Sequence, residues 1–522
     1  MRSLVFKFVL LFLAQATVVA AGLQPARAGM CAAAVLKDST YEGGRLVDRY
    51  SNAQVRERLK DLSFLKRVTR ELDAQFLHES RALSRRMKSL PNEYDFIIVG
   101  AGGHGVQAAF TLAGKRILIV EGSNFVNNTF RRMGDAMILN SPELGAKGST
   151  NPRYGGTFQV RDAMFEGYPL ASQLRGVDVL RMKELKEGAK SANDQVDLLL
   201  GTHANELEPV VKDGRVVGVR MFLSNGAVCK ATAVIHAGGL GRAKLPFKDQ
   251  GTVQLVMKYL GISTIRTMPA LMSYEGFMER VNAFFENGRD PREELIGKRV
   301  AIVGAGDGAL VAIEALYGYA PQHIYSLPRR LAKMAVTWFG QKFSTPDKTV
   351  NDHPDRYLEN QVKIFSKPDG HDKVIEPPHT VPHHLERIEE FSENGRVAFR
   401  LFPKDGGAPV TVDYVIIATG YEPVPIPIRG HTYSLGHNAV IIKDGIPVGQ
   451  QVVTSSGIGL PVFIGGAQLG PKFATEKMVL ASETENPVSF DVLISPTTKL
   501  AEHVREAAEL VIRASAAGRR VK

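Results

Sequence analysis

Two continuous apolar runs, Phe96-Ile97-Ile98-Val99 and Ile117-Leu118-Ile119-Val120, stand out along the chain. Each suits a strand buried on both faces. Between them Gly100, Gly102 and Gly105 fall in GxGxxG spacing, and Val106 to Leu112 continues without a breaker, as a helix does. The second run ends on Glu121. Strand, tight turn, helix, strand and acid, in that order, predict a dinucleotide-binding unit. Gly100 permits the turn, Gly102 lets the backbone approach a pyrophosphate, and Gly105 lets the helix lie close to the strand. The helix N-terminus turns free N–H groups toward the phosphates, and Glu121 stands where a carboxylate accepts ribose hydroxyls.

A second unit opens at Lys298 and reads KRVAIVGAGDGALVAIEAL, with Gly304, Gly306 and Ala309 in GxGxxA spacing. The next strand is expected at His323 to Leu327, and it ends not in an acid but in Pro328-Arg329-Arg330. An acid repels an extra phosphate on the ribose, whereas paired arginines bind it bidentately. Arg329 and Arg330 therefore favour NADPH over NADH at this unit; the other reading of the pair is the start of an exposed helix.

Elsewhere the period changes with the element. Leu62, Leu65, Val68, Leu72 and Phe76 recur at three- and four-residue steps and predict one helical stripe. It is read as a helical extension that packs on the main body. Val177 to Ala192 is a second predicted helix, with Gly188 weakening its last turn. Val210-Val211, Val216 to Phe222 and Ala233 to Ala237 are short strand candidates, divided by the hairpin signals Asp213-Gly214 and Asn225-Gly226. Phe130 to Gly167 reads as loops that shape a cofactor site. Two later apolar strands enter glycine turns, Asp413 to Gly420 (DYVIIATG) and Pro461 to Gly466 (PVFIGG). Thr419, Gly420, Gly465 and Gly466 are thus expected beside the cofactors. Leu500, Val504, Ala508 and Val511 share one face of a closing helix. His371, His379, His383 and His384 lie in a polar stretch broken by Pro377, Pro378 and Pro382, and no metal site is expected there.

With 522 residues the chain is long enough for two or three domains with their own cores. Residues 1–28 have a basic start (Arg2, Lys7), an apolar middle and an A-x-A pattern at Ala26-Arg27-Ala28, which predicts a Sec-type signal peptide and export to a periplasmic or secreted location. An uncleaved membrane anchor is the alternative; no later segment is apolar enough to span a membrane. The formal charge is +11, and removing Arg2, Lys7 and Arg27 leaves 11 − 3 = +8. Much of the excess lies in Arg56 to Lys88, where Asp61, Glu71, Asp73 and Glu79 are interspersed, so a solvated helical face explains it. No nucleic-acid motif accompanies it, and no such partner is expected. Cys31 and Cys229 are the only cysteines, and neither stands in a CxxC. A dithiol relay and a zinc ribbon are thereby excluded.

Two GxGxx(G/A) units, a strand ending in ATG and a late strand ending in Gly-Gly resemble the two-dinucleotide-binding flavoproteins, over about residues 94–490. Within that group the chain looks most like the flavin-dependent monooxygenases. Asp413 to Tyr421 is similar to the D-x₃-(L/F)-ATGY motif of the N-hydroxylating branch, with Ile417 in place of Leu/Phe. Asn140-Ser141-Pro142 resembles the Asn-x-Pro segment that places an asparagine beside the flavin, and Arg329-Arg330 looks like the pair that holds NADPH in related reductases. The FxGxxxHxxx(W/F) fingerprint of Baeyer–Villiger enzymes is absent before Lys298.

The resemblance implies an α/β flavoprotein with two nested Rossmann-like domains: signal 1–28, helical extension 29–93, FAD domain 94–293 and 406–522, and NAD(P) domain 294–405. It implies FAD at the first unit, NADPH at the second, and a small substrate oxidised at nitrogen or sulfur by oxygen through a peroxyflavin, with Asn140 as the catalytic candidate. A dehydrogenase or oxidase without oxygen transfer, and a non-catalytic nucleotide-binding protein, stay open as readings of the residues.

Overall fold

The computed structural model describes residues 49–89, 92–136, 156–158, 170–189, 194–239, 241–260, 268–287, 291–304, 306–317, 335–340, 379–404, 406–422, 424–431, 438–443, 445–455, 457–466 and 497–510. The signal segment, Cys31, Asn140, the strand expected at His323 to Leu327, and Arg329 and Arg330 lie outside them. Tyr50 onward forms one compact unit.

The first apolar run becomes the strand Asn92–Val99, flanked in parallel by Arg116–Glu121 on one side and Val228–His236 on the other. Gln195–Leu200 extends this sheet beyond Arg116–Glu121, again in parallel. On the other flank Gly459–Ile464 pairs in parallel with the end of Val228–His236, with Ile464 opposite His236. Ile446–Val453 and Ala439–Lys443 follow antiparallel at that edge. The hairpin Ala204–Lys212 and Arg215–Leu223 pairs with the first half of Val228–His236. Asp213 and Gly214 at its tip both have positive φ, as a two-residue turn of this hand requires. Period-2 alternation decides which residues enter the core: Ile97, Leu118, Val120, Val234, Val462 and Ile464 face the hairpin residues Leu207, Val219 and Met221.

The second sheet has the order His379–Val381, Ala335–Phe339, Arg299–Val303, Tyr414–Ile417, Leu271–Ser273, all parallel. Val300, Ile302 and Ile416 pack on the helices Tyr274–Asn287 and Asp307–Tyr317. Ala301, Val303, Val415 and Ile417 face the helix Gln250–Leu260 and the small antiparallel sheet that contains Phe399, Leu401 and Val412. Two strands of this sheet lie outside residues 294–405. Leu271–Ser273 falls before residue 294 and Tyr414–Ile417 after residue 405, yet both pair within it. The ATG strand therefore belongs to the second glycine unit and not to the first. The chain passes between the two sheets through Arg242–Ala243 and Tyr421–Glu422, which pair antiparallel and are joined by an Arg242–Glu422 ion pair.

The helical stripe near the N-terminus forms the helix Leu62–Met87, capped by Asp61, whose carboxylate accepts the Phe64 amide at 3.0 Å. Phe64, Leu65, Val68, Leu72 and Phe76 are all buried. At about 1.5–3 kcal/mol for each large apolar side chain, their burial is ample to hold the helix on the body. Its bed is the strand Gln195–Leu200 and the helix Ala171–Gly188. Leu65 lies so close to Gly176 that a Cβ there would come within 2.6 Å of the leucine side chain. The helix Ala171–Gly188 starts six residues before the expected Val177 and stops at Gly188, the breaker noted in the sequence.

Candidate functional site

Each of the three first-unit glycines has a distinct surrounding. Gly100 has φ +105, and a Cβ on it would overlap the carbonyl of Ala237. A Cβ on Gly105 would overlap the carbonyl oxygen of Gly100, so helix and strand approach to the limit. Gly102 differs: nothing lies within 4 Å of the place its Cβ would take. It is the N-cap of the helix Gly103–Thr111, makes no side-chain cap, and so leaves an open cradle in front of the helix's first-turn amides. That shape and polarity fit a pyrophosphate.

Glu121 ends the neighbouring strand and is already oriented. Its Oε2 accepts the Ala101 amide at 2.9 Å and its Oε1 the Ser123 amide at 2.8 Å. Each carboxylate oxygen can accept further hydrogen bonds. The sequence pointed to Glu121; the amides that hold it have no signature in the sequence, because any residue supplies an N–H. Gly465 and Gly466, which follow the strand Gly459–Ile464, come to the same place. The Gly465 amide donates to the His236 carbonyl at 3.1 Å, and Gly466, with φ +60, lies where a Cβ would come within 2.7 Å of the His104 ring. His104 follows the first glycines on the helix, and His236 closes the strand beside Val99. Both are buried, and burial pushes each imidazole down to about 4, so both are neutral near pH 7.

The second unit repeats the geometry. Gly304 has φ +130, and a Cβ on it would overlap the carbonyl of Ala418. Gly306 has nothing within 4 Å of its Cβ position, and Ala309 is fully buried. Thr419 and Gly420 stand at this turn: Lys244 N donates to the Gly420 carbonyl at 2.9 Å, and the Thr419 hydroxyl donates to the Lys244 carbonyl. They are brought to Gly304 and the linker, away from Gly100. The aspartate of the Asp413 to Tyr421 motif also has its partner here. Its carboxylate accepts the Arg299 backbone amide and guanidinium, each at 2.8 Å, which holds it below the usual carboxylate range.

Between the two sheets, Arg132 of the helix Asn128–Met133 donates to Glu275 at 2.9 Å and to Glu279 at 3.0 Å, one turn apart on the helix Tyr274–Asn287. Tyr421 hydrogen-bonds Glu275, and burial together with that carboxylate raises the phenol far above its ordinary value. A buried polar chain links the first glycine helix to its surroundings. Thr498 accepts from Gln107, Gln107 accepts from Arg181, Arg181 donates to Asp178 at 3.1 Å, and Asp178 accepts from Asn127 at 2.7 Å. Asn127 N in turn donates to the Ala101 carbonyl at 3.0 Å. Cys229 is buried in its strand, and its thiol is pushed up to about 12, which leaves it unreactive. Among the described residues no helix is long and apolar enough to cross a membrane.

No protein-family model and no curated protein matches the chain. Among solved structures it is similar to an ornithine hydroxylase from Pseudomonas aeruginosa, at 13% identity and TM-score 0.49, covering 79% of this chain and 99% of that one. It is similar to an L-lysine 6-monooxygenase from Pseudomonas syringae, at 16% identity and TM-score 0.45, covering 79% and 99%. A thioredoxin reductase from T. acidophilum is similar at 14% identity and TM-score 0.45, covering 80% and 99%. The chain is a mixed α/β protein with a mixed nine-stranded sheet and a parallel five-stranded sheet, each carrying a glycine turn of the GxGxx(G/A) kind.

Proposed function

We propose that the chain is an FAD-dependent oxidoreductase that takes hydride from a nicotinamide nucleotide and, with oxygen, oxidises a nucleophilic nitrogen or sulfur on a small substrate. The observation that carries this reading is the pair of open cradles at Gly102 and Gly306, each in front of a helix N-terminus in the same compact unit. The first, beside Glu121, suits FAD; the second suits the nicotinamide nucleotide. FAD bound there supplies the redox chemistry between nicotinamide and oxygen. The chain's own residues bind and orient. The amides that open Gly103–Thr111 hold the pyrophosphate, and Glu121, held by the Ala101 and Ser123 amides, accepts the ribose hydroxyls. Asn140 is assigned as the hydrogen-bond donor beside the flavin. The absence of a CxxC leaves electrons no dithiol to reach, which supports oxygen or a small molecule as acceptor. Export with cleavage after Ala28 belongs to the same proposal.

The test is spectroscopic. Purified protein is expected to be yellow, to bleach with nicotinamide nucleotide, and to recover with oxygen. Incubation with a panel of amines and sulfides under ¹⁸O₂ then places one labelled atom in product. Stoichiometric hydrogen peroxide with no label in any substrate overturns oxygen transfer and leaves a simple oxidase.

A further inference from the structure

The two glycine turns correspond residue for residue. Gly100 N donates to the Val120 carbonyl at 2.8 Å, and Gly304 N to the Phe339 carbonyl at 2.9 Å. Ala237 N donates to the Val99 carbonyl at 2.8 Å, and Ala418 N to the Val303 carbonyl at 2.7 Å. Gly239 and Gly420 share φ +83. In the sheets, Val120 lies opposite Val99 and Phe339 opposite Val303. The residue after Val120 is Glu121; the residue after Phe339 is Gly340. Position 340 thus takes the place of the ribose-reading acid, it carries no side chain, and the next acid in the sequence is Asp347.

We infer that Gly340 is the nucleotide-discriminating position of the second unit: NADPH is admitted because no carboxylate stands there. This rests on the proposed nicotinamide site. A glutamate at this point faces the 2′-hydroxyl of NADH favourably and the 2′-phosphate of NADPH with like charge.

The chain carries its own probe. Trp338 is its single tryptophan, and the indole N–H donates to the Gly304 carbonyl. Titration of the FAD-loaded protein with NADPH and with NADH, followed by Trp338 fluorescence, reads occupancy without turnover. Gly340→Glu is expected to weaken NADPH binding roughly tenfold or more while NADH binding holds or tightens. Gly340→Gln, uncharged and of equal length, is expected to leave the NADPH-to-NADH ratio within about threefold. Gly340 is buried, so Gly340→Asp repeats the test with a shorter side chain if Glu does not fold. Equal weakening of both nucleotides by Glu, Asp and Gln overturns the inference. Wild-type protein that binds FAD but neither nucleotide overturns the donor site itself. Wild-type protein that binds both, with a ratio unmoved by Gly340→Glu and Gly340→Asp, overturns only the assignment of Gly340.

Discussion

The indole of Trp338 donates to the backbone carbonyl of Gly304 at 2.5 Å, tying the neighbouring strand to the turn that opens the second nucleotide cradle. The ring is buried and lies in the cluster with Val300, Ile302 and Ala312. A ligand seated in front of Gly306 is expected to change the surroundings of this single tryptophan. Addition of NADPH is therefore expected to change tryptophan emission in the wild-type protein, and to leave it unchanged in Gly306→Val while FAD content is retained. A full response in Gly306→Val would remove that cradle from nucleotide binding.

The first-unit glycines are expected to fail in different ways. A Cβ at Gly102 meets nothing within 4 Å among the described residues, and its φ of −78 suits any residue, so Gly102→Val is expected to fold and to lose FAD. Gly105→Ala puts a methyl into the Gly100 carbonyl and is expected to destabilise the chain by about 3 kcal/mol. Thermal melts with flavin content measured on the same samples separate the two. Full FAD occupancy in Gly102→Val would sink the cradle assignment.

Asp73 and Arg175 form a buried bidentate pair, with oxygen to Nη2 separations of 2.6 and 2.5 Å, that joins the N-terminal helix to the helix Ala171–Gly188. Burial pushes the Asp73 carboxyl up, and Arg175 opposes that shift. Removing one partner strands the other charge, so Asp73→Ala is expected to cost about 3–5 kcal/mol. Asp73→Leu/Arg175→Met should cost far less, because both charges go together. Denaturant melts of the two variants decide; equal losses would mean that the packing, and not the charge, dominates.

The buried neutral histidines predict an acid limb in stability. The folded pKa of His236 is about 4, below the ordinary 6.5, so the unfolded chain takes up protons that the folded chain refuses. Stability from this source is complete above about pH 6.5 and falls as pH drops toward 4, by on the order of 2–3 kcal/mol. His236→Gln is expected to flatten the decline in melting temperature between pH 7 and pH 5. An unaltered slope would show that His236 is not responsible for the limb.

Export is tested directly by N-terminal sequencing of protein from the native host, where a start at Gly29 is expected. A chain beginning at Met1 in the membrane fraction would favour the anchor instead.

Much of the fold was legible because its signals are local. Strand, turn and helix around Gly100 and Gly304 follow from consecutive residues: an apolar run, glycines at fixed spacing, then a stretch without breakers. The same holds for the stripe from Leu62 to Phe76 and for the Asp213-Gly214 turn. Which strands become neighbours is not local. The strand after the Gly304 turn is expected from sequence at His323 to Leu327, about twenty residues on. The apolar run Ala335–Phe339 takes that place instead, because the sheet and the Trp338 to Gly304 hydrogen bond select it. The ATG strand likewise could have closed either sheet, and its pairing with Arg299–Val303, fastened by Asp413 on Arg299, assigns it to the second. Sequence by itself determined the two glycine turns, the acid at the first and the absence of a dithiol. Tertiary structure alone decided that Gly340 takes, in the second sheet, the place that acid holds in the first, since a strand's partner is chosen by burial and hydrogen bonding across the whole sheet.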